Sequence, residues 1–303
     1  MHPGAPLTDT ASLLALLALP GVGPAKALAC AHGHKQPPAS PDVASARRRV
    51  VELAEQGIRL VGFFDDTFPQ RLRDIPSPPA VLYVRGPVDA LHQARTLAVV
   101  GTRRPSRFGV SATETVSRVA ARAGAVIASG LALGVDGVSH RCALQEGALT
   151  VAVLGGGVDA PTPTSHQPLA HQIISSGGCL ISEQPPGTPP TPQTLVARNR
   201  LQAGLAAVVF IGQTAVDGGT PHTARFAAQQ GRPVFCPRPQ VPHAASEGLE
   251  LLLDCPARDL PARMPAFASA KRLCAQLGDE PLARPVTRDT VDVLLGELAR
   301  DAA

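Results

Sequence analysis

Residues 97–136 read LAVVGTRRPSRFGVSATETVSRVAARAGAVIASGLALGVD, and this stretch decides the fold. Two apolar runs, Leu97–Val100 and Ala125–Ala128, flank a segment of helical length, Gly109–Ala123. Nearly continuous apolar runs of strand length are typical of parallel strands that are covered on both faces. The stretch therefore predicts a strand, a crossover helix and a second strand parallel to the first.

The same alternation continues toward residue 236. Further strands are predicted at Thr150–Leu154, Cys179–Ile181, Ala207–Ile211 and Pro233–Cys236, and further helices at Gly137–Glu146, Ser165–Ser175, Leu195–Leu205 and Pro221–Gln230. Strand–helix alternation of this length indicates an α/β fold, with a doubly wound, mostly parallel sheet and right-handed crossovers.

The regions on either side of this alternation differ from it in composition. Residues 1–57 indicate a small helical domain, and its turn Pro20-Gly21-Val22-Gly23-Pro24 resembles a helix–hairpin–helix. Residues 58–256 form the predicted sheet domain, which opens with short strands and turns. Residues 257–303 indicate a linker followed by two helices that a Pro-containing loop joins, Ala268–Leu277 and Arg288–Arg300.

The charge of the chain permits a nucleic-acid partner but does not require one. The net charge is +4, from 28 basic and 24 acidic residues. Of the basic residues, 25 are arginine, which suits bidentate phosphate contacts, although a GC-rich genome produces the same bias. The chain has no Trp, one Tyr and eight Phe, which argues against a broad aromatic platform for stacking on single strands.

The six cysteines form no C-x-x-C pair and show no zinc-ligand spacing, so no metal site is predicted. We expect them to be reduced, packed thiols. The apolar stretch Leu13–Leu19 is too short to cross a bilayer, and Met1-His2-Pro3-Gly4 does not open a secretory leader. The sequence therefore predicts a cytoplasmic protein with no membrane partner.

Ligands of an open parallel sheet bind outside the carboxyl ends of its strands. The turn Gly101-Thr102-Arg103-Arg104 follows the first strand and combines a glycine, a hydroxyl and two cations, which indicates phosphate recognition. The alternative is a tight turn whose arginines only face solvent. Arg198-Asn199-Arg200 lies on a predicted helix after a strand. It fits either phosphate contacts or an arginine brace to a carboxylate such as Glu183.

Motifs for catalysis and cofactor binding are weak. Gly155-Gly156-Gly157 follows a strand but lacks the third glycine and the acid of a dinucleotide site. The sheet domain contains no lysine, which argues against a Walker-type phosphate loop. His140-Arg141-Cys142 lies on a predicted helix, where adjacent side chains diverge. Asp136, one turn earlier, is interpreted as a capping and packing partner of His140. The sequence predicts no catalytic residue and no cofactor.

Several segments, taken together and in order, resemble the DNA-processing protein A family, also called DprA or Smf. The resemblance covers roughly residues 10–255. The segments that carry it are Asp66-Thr67-Phe68-Pro69, Val99-Val100-Gly101-Thr102-Arg103, Ser129-Gly130-Leu131-Ala132-Leu133-Gly134-Val135-Asp136 with His140, Ser182-Glu183, and Arg198-Asn199-Arg200.

The resemblance implies an extended Rossmann-like fold that binds single-stranded DNA without enzymatic activity. It further implies a SAM-like or helix–hairpin–helix-like N-terminal domain and a shortened winged-helix-like C-terminus. Family members protect incoming single strands during natural transformation, load the RecA recombinase onto them and act as homodimers. The DNA-binding residues that it implies for this chain are Gly101, Thr102, Arg103 and Arg104, followed by Arg198, Asn199 and Arg200.

The chain departs from the family pattern at several positions. Gln213 stands where the family usually has an acid, Leu195 replaces an aromatic residue, and no lysine lies between Ser182 and Arg198. Two alternatives stay open: a diverged nucleotide-binding protein or phosphoribohydrolase-like enzyme, and a mainly protein-binding relative without DNA affinity. Against the enzyme, Gly218-Gly219-Thr220 lacks the proline, the additional glycine and the acid of that motif.

Overall fold

The computed structural model describes residues 7–241, 243–287 and 290–300. In chain order, the strands of its sheet are β1 (Ile58–Gly62), β2 (Val81–Arg85), β3 (Thr96–Val100), β4 (Val126–Ser129), β5 (Thr150–Val153), β6 (Cys179–Ser182), β7 (Val208–Ile211), β8 (Val234–Pro237) and β9 (Ala283–Val286). Their spatial order is β1-β2-β6-β5-β4-β3-β7-β8-β9. From β6 to β9 all neighbours are parallel, and β1 and β2 add an antiparallel edge. The predicted doubly wound, mostly parallel α/β fold is confirmed.

The helices connect the strands and cover both faces of the sheet. Their bounds are α1 (Thr10–Leu17), α2 (Pro24–Ala31), α3 (Val43–Glu55), α4 (Gln70–Arg73), α5 (Arg107–Arg122), α6 (Val135–Gln145), α7 (Gln167–Ser175), α8 (Pro192–Leu205), α9 (Thr220–Gln229), α10 (Glu247–Asp254), α11 (Leu260–Arg263), α12 (Lys271–Leu277) and α13 (Val291–Arg300). The six strands and five crossover helices predicted between residues 97 and 236 are all present.

The central strands bury side chains on both faces. On one face, Leu97, Val99 and Ile127 pack beneath α5, α6 and α13. On the other face, Val209 and Ile211 pack beneath α8, α9 and α10. Each strand residue therefore contacts an apolar layer whichever way it points, which explains the continuous apolar runs in the sequence.

The three N-terminal helices pack at the antiparallel edge of the sheet. Leu13 and Leu16 of α1 share an apolar cluster with Leu60 of β1 and Tyr83 of β2. The small helical unit predicted at 1–57 is thus present over the described residues and shares its core with the sheet. Its independence as a domain stays a prediction.

The chain after residue 256 also packs against the sheet. Leu260, Met264 and Phe267, which lie in the predicted linker, are fully buried. Helices α12 and α13 correspond to the two predicted C-terminal helices, although Arg288, the predicted start of the second, lies outside the described residues.

Between α12 and α13 the sequence predicts a loop, and this prediction was wrong: β9 lies there and pairs in parallel with β8. Pro285 lacks the N–H of a central strand but is tolerated in β9, because β9 is an edge strand. The boundary at residue 256 stays a prediction.

The strand order reverses between β3 and β7. From β3 the sheet continues through β4, β5 and β6 in one direction, and through β7, β8 and β9 in the other. Loops that leave neighbouring strands at such a reversal run to opposite faces of the sheet and open a crevice at the carboxyl ends. The turn Gly101–Arg104 follows β3 and lies at this crevice.

Among the described residues, no helix combines the length and the apolar composition needed to cross a membrane. The same residues contain no group of three or more His, Cys, Asp and Glu side chains that could hold a metal ion. The six cysteines are buried free thiols, as predicted from their spacing.

Candidate functional site

Two adjoining cavities lie at the crevice. The larger cavity has a volume of about 210 Å³ and mainly apolar walls, which include Leu133, Leu154 and Pro190. The smaller cavity, of about 110 Å³, lies among the end of β3, helix α8 and the N-terminus of α9. Arg103 and Arg198 line both cavities. The site therefore combines apolar walls with two guanidinium groups.

Backbone hydrogen bonds hold the turn after β3 to two neighbouring loops. Thr102 donates its N–H to the carbonyl of Gln213 at 2.8 Å, and its carbonyl accepts the N–H of Val135 at 3.2 Å. Its hydroxyl accepts the N–H of Arg104 at 3.2 Å. Gly101 has no space for a side chain, since a Cβ there would lie 2.5 Å from a methyl group of Val135. The turn is thus fixed in position before any ligand arrives.

The two arginines of this turn are exposed. Neither the Arg103 nor the Arg104 guanidinium forms a hydrogen bond or ion pair with any residue that the structure describes. Both cations therefore stand at the carboxyl edge of the sheet without an acidic partner. Both guanidinium groups are therefore available to an incoming phosphate.

Arg198 points into the protein. The residue is 7% exposed, and its guanidinium donates hydrogen bonds to the carbonyl of Val153 and, at 3.1 Å, to Oδ1 of Asn199. The same group lies 3.8 Å from the carboxylate of Asp136. A Cβ on Gly130 would overlap the guanidinium, so a larger residue there would displace the Arg198 side chain. Arg198 therefore joins the end of β5 and the first turn of α6 to helix α8.

Asp136 is the acidic partner of Arg198 and is itself buried. Its carboxylate accepts the N–H of Ala132 at 3.3 Å. Burial raises the pKa of Asp136, while the Arg198 cation and backbone N–H groups oppose that rise. His140, one turn later, bonds through Nδ1 to the hydroxyl of Thr150 at 2.7 Å, and burial lowers its pKa to about 3. Asp136 and His140 thus have separate partners.

Arg200 braces Glu183, which follows β6. Two hydrogen bonds of 2.6 Å join the guanidinium to the carboxylate, and a third runs to the carbonyl of Ser77 at 2.9 Å. Asn199, between the two arginines, donates to the carbonyl of Gly219 at 3.3 Å and so links α8 to the start of α9. Of the two alternatives that the sequence leaves open for this motif, the arginine brace to Glu183 is present. A phosphate contact by Arg200 would have to compete with Glu183 for the guanidinium.

Gln213 follows β7 and connects the segments that surround the crevice. Its side chain is fully buried. Its Oε1 accepts the N–H of Ser106 at 2.8 Å, and its Nε2 donates to the hydroxyl of Ser246 at 2.8 Å. Gln213 thus holds the cap of α5 and the start of α10 to the turn of the site.

Gln213→Leu is expected to lower the free energy of unfolding by about 1–3 kcal/mol, because it leaves the Ser106 N–H and the Ser246 hydroxyl buried without a partner. Gln213→Glu keeps an acceptor for both groups but places a carboxylate without a cation at a fully buried position, so it should not recover this loss at neutral pH. Urea unfolding of both variants measures the difference. Equal stability of the leucine variant and the wild type would contradict this role of Gln213.

Gln202 is a site residue that the sequence motifs do not indicate. It lies one turn after Arg198 on α8, lines the smaller cavity and is 1% exposed. Residues four apart share one face of a helix, so the spacing from Arg198 was the available signal. That signal was too weak alone, because the sequence did not show which face of α8 meets the crevice.

Comparison with known proteins identifies the family of this chain. Residues 59–262 match the family model described as DNA recombination-mediator protein A. The chain belongs to this family. Protein Smf of Escherichia coli K12 is 36% identical over 201 residues, and DNA processing protein DprA of Bacillus subtilis is 35% identical over 188 residues. These alignments cover 66% and 62% of this chain, and 54% and 63% of the two relatives. The chain thus matches between half and two thirds of their length.

Two solved structures share this fold. The X-ray structure of DprA from Streptococcus pneumoniae has a TM-score of 0.63 and 30% sequence identity, over 77% of both chains. DprA from Helicobacter pylori has a TM-score of 0.60 and 27% identity, over 76% of this chain and 94% of its own. The H. pylori protein is described by its mode of binding single-stranded DNA.

Proposed function

We propose that this chain binds single-stranded DNA at the crevice between β3 and β7, as a DNA-processing protein of natural transformation. The observation that carries the proposal is the pair of exposed cations, Arg103 and Arg104, which have no acidic partner among the described residues. The turn Gly101–Arg104 contacts the phosphates. Arg198 and Asn199 line the cavities behind it, and Arg200, which lines a different cavity beside the N-terminal helices, supports the loop after β6 through Glu183.

The larger cavity supports a single-stranded ligand rather than a duplex. Its mainly apolar walls, with Leu133 and Leu195 among them, suit the faces of an unstacked base. Leu133 is 46% exposed, so apolar surface continues to the rim of the cavity. A base in a duplex is paired and stacked and does not reach such a pocket without flipping, which requires a few kcal/mol.

A direct test compares oligo-dT with a duplex of the same length in a fluorescence anisotropy titration. We expect tighter binding of the single strand, and a fall in its affinity with salt at a slope of about −0.7 for each phosphate neutralised. Equal affinity for both ligands, or no binding of oligo-dT at low salt, would contradict the proposal and favour a protein-binding role.

We further propose the partners and setting that go with this family. The protein protects the bound strand and loads the RecA recombinase onto it, acts as a homodimer in the cytoplasm and performs no catalytic step. The description of the matching family as a recombination mediator supports the role toward a recombinase. Asp136 is paired with Arg198 and Glu183 with Arg200, which argues against either carboxylate as a free general base.

A further inference from the structure

We propose that a cleft between the N-terminal helices and the sheet binds a second segment of the single strand. This N-terminal cleft has a volume of about 930 Å³ and lies among α1, the turn Pro20–Pro24, α3, the start of β2, the loop after β6 and α8. The inference rests on the proposed binding of single strands at the crevice. It adds a subsite for a nucleotide and assigns a function to the Pro20–Pro24 turn, which resembles a helix–hairpin–helix.

The N-terminal cleft opens at the same edge of the sheet as the crevice. Tyr83 of β2 pairs with Ser182, the last residue of β6, so the start of β2 lies at the carboxyl end of β6. The loop after β6 separates the two sites: Glu183 lines the N-terminal cleft, and Pro190 lines the larger cavity. Because β6 is three strand positions from β3, these two strands are about 14 Å apart, the length of roughly four stacked nucleotides.

Tyr83, the single tyrosine of the chain, indicates a ligand in this cleft. The residue lines the cleft at 5% exposure, and its hydroxyl forms no hydrogen bond with any residue that the structure describes. Burial raises the pKa of Tyr83, and the Arg49 cation, which lines the same cleft, opposes that rise. A buried phenol usually has a hydrogen-bond partner. The edge of a nucleobase would provide one, while Leu14 and Leu17 in the wall suit the face of its ring.

The turn before α2 provides a place for a phosphate in the same cleft. Gly23, which lines the cleft, is at the cap position of α2 with an extended backbone (φ −94°), and a Cβ there would meet no atom within 4 Å. Neither backbone geometry nor packing therefore requires glycine. Its missing side chain leaves the first N–H groups of α2 open to an anion. Lys26 lies in this first turn, where the helix dipole disfavours a cation, and has no acidic partner among the described residues.

The carboxylates in the wall of the cleft are compensated by their own partners. Asp42 accepts a backbone N–H at the start of α3, and two hydrogen bonds of 2.6 Å hold Glu183 to Arg200. The side chains of the pair between Arg49 and Glu52 are 45% and 56% exposed. Solvent screens such a pair, so the Arg49 guanidinium can turn to a phosphate instead. The walls thus accept a neutral base on their apolar part and a phosphate at the turn.

The test measures the affinity of the full chain for oligo-dT of about 4, 8, 12 and 16 nucleotides, by fluorescence anisotropy at about 0.1 M salt. Each affinity is divided by the number of registers in which the strand can bind. We expect a corrected affinity at least about tenfold higher for the two longest strands than for the shortest, because only a long strand reaches from the crevice to the N-terminal cleft.

Two substitutions locate the subsite. Tyr83→Phe removes only a hydroxyl that has no partner in the protein, so thermal stability should be kept. The affinity for the longest strand should fall about three- to tenfold, and that for the shortest should not change. Gly23→Asp places a carboxylate at the start of α2, where aspartate is a favoured cap residue. It should reduce the advantage of the long strands without loss of thermal stability, and the neutral Gly23→Asn should reduce it less.

The matched control is Gln172→Glu, which adds the same negative charge at an exposed position of α7 and should keep the length dependence. Photo-crosslinking of a long strand that contains 5-iododeoxyuridine should modify the peptide around Tyr83. Equal corrected affinity at all lengths, or an unchanged length dependence in both Tyr83→Phe and Gly23→Asp, would overturn this inference alone. Failure of strands of every length to bind would overturn the proposed function, and this inference with it.

Discussion

Replacing Arg103 with alanine is expected to weaken binding to unphosphorylated oligo-dT about 10- to 100-fold at about 0.1 M salt. A hydrogen bond between a guanidinium and a phosphate contributes about 1.5–3 kcal/mol, and Arg103 has no other partner among the described residues. The slope of log affinity against log salt should become shallower by about 0.7, the value for one phosphate contact on a single strand. Anisotropy titrations over a salt series measure both effects.

Two further variants make this result specific. Arg103→Lys keeps the charge but loses the planar fork, so we expect an intermediate affinity with the wild-type salt slope. Arg59→Ala removes an exposed arginine from β1, at the far edge of the sheet from the crevice, and should change neither quantity. If Arg59→Ala lost affinity and Arg103→Ala did not, the DNA would have to bind elsewhere.

The central sheet could be predicted because its physical requirements leave few alternatives. Runs such as Leu97–Val100 and Val208–Ile211 are buried on both faces, and an uninterrupted apolar sequence of strand length has few other uses in a mixed α/β pattern. Glycine-rich loops follow these strands in the sequence and so mark the carboxyl edge of the sheet. The Gly101–Arg104 turn is one of these loops, so its place at that edge could be predicted without any side-chain contact.

The strand β9 could not be predicted, because its sequence carries no strand signal. Ala283-Arg284-Pro285-Val286 contains a proline and no apolar run, which is typical of a loop. This segment becomes a strand because it pairs with the edge of β8 and because Leu294 and Leu298 of α13 pack against Val286. Both are tertiary conditions that residues 283–286 do not contain.

The roles of the arginines on α8 could not be resolved from the sequence for a similar reason. Arg198 and Arg200 are two positions apart on a helix, so they point in different directions and meet different loops. Which carboxylate each one meets depends on the ends of β4 and β6, far away in the chain. The sequence suggests Glu183 as the partner of one arginine but does not pair Arg198 with Asp136.

Arg198→Met is expected to lower the free energy of unfolding by about 3–5 kcal/mol, because it leaves the buried Asp136 carboxylate without its cation. The side chains of this pair are only 9% and 6% exposed. Thermal and urea unfolding measure the loss. The control is Arg238→Met, which breaks the pair of Arg238 with Asp254. That pair is closer, at 2.8 Å, but its side chains are 48% and 54% exposed. We expect at most about 1 kcal/mol from it, since solvent screens exposed pairs.

A second substitution identifies the cause of the loss. Asp136→Asn in the Arg198→Met background removes the unpaired charge and keeps an oxygen for the N–H of Ala132, so it should restore a large part of the lost stability. In the wild type, the Arg198 guanidinium faces Val153 and Asp136 rather than solvent. The Arg198→Met variant should therefore bind DNA with the wild-type salt slope at temperatures where it is folded. A slope shallower by about 0.7 would instead make Arg198 a direct phosphate contact, as its place in the motif suggests.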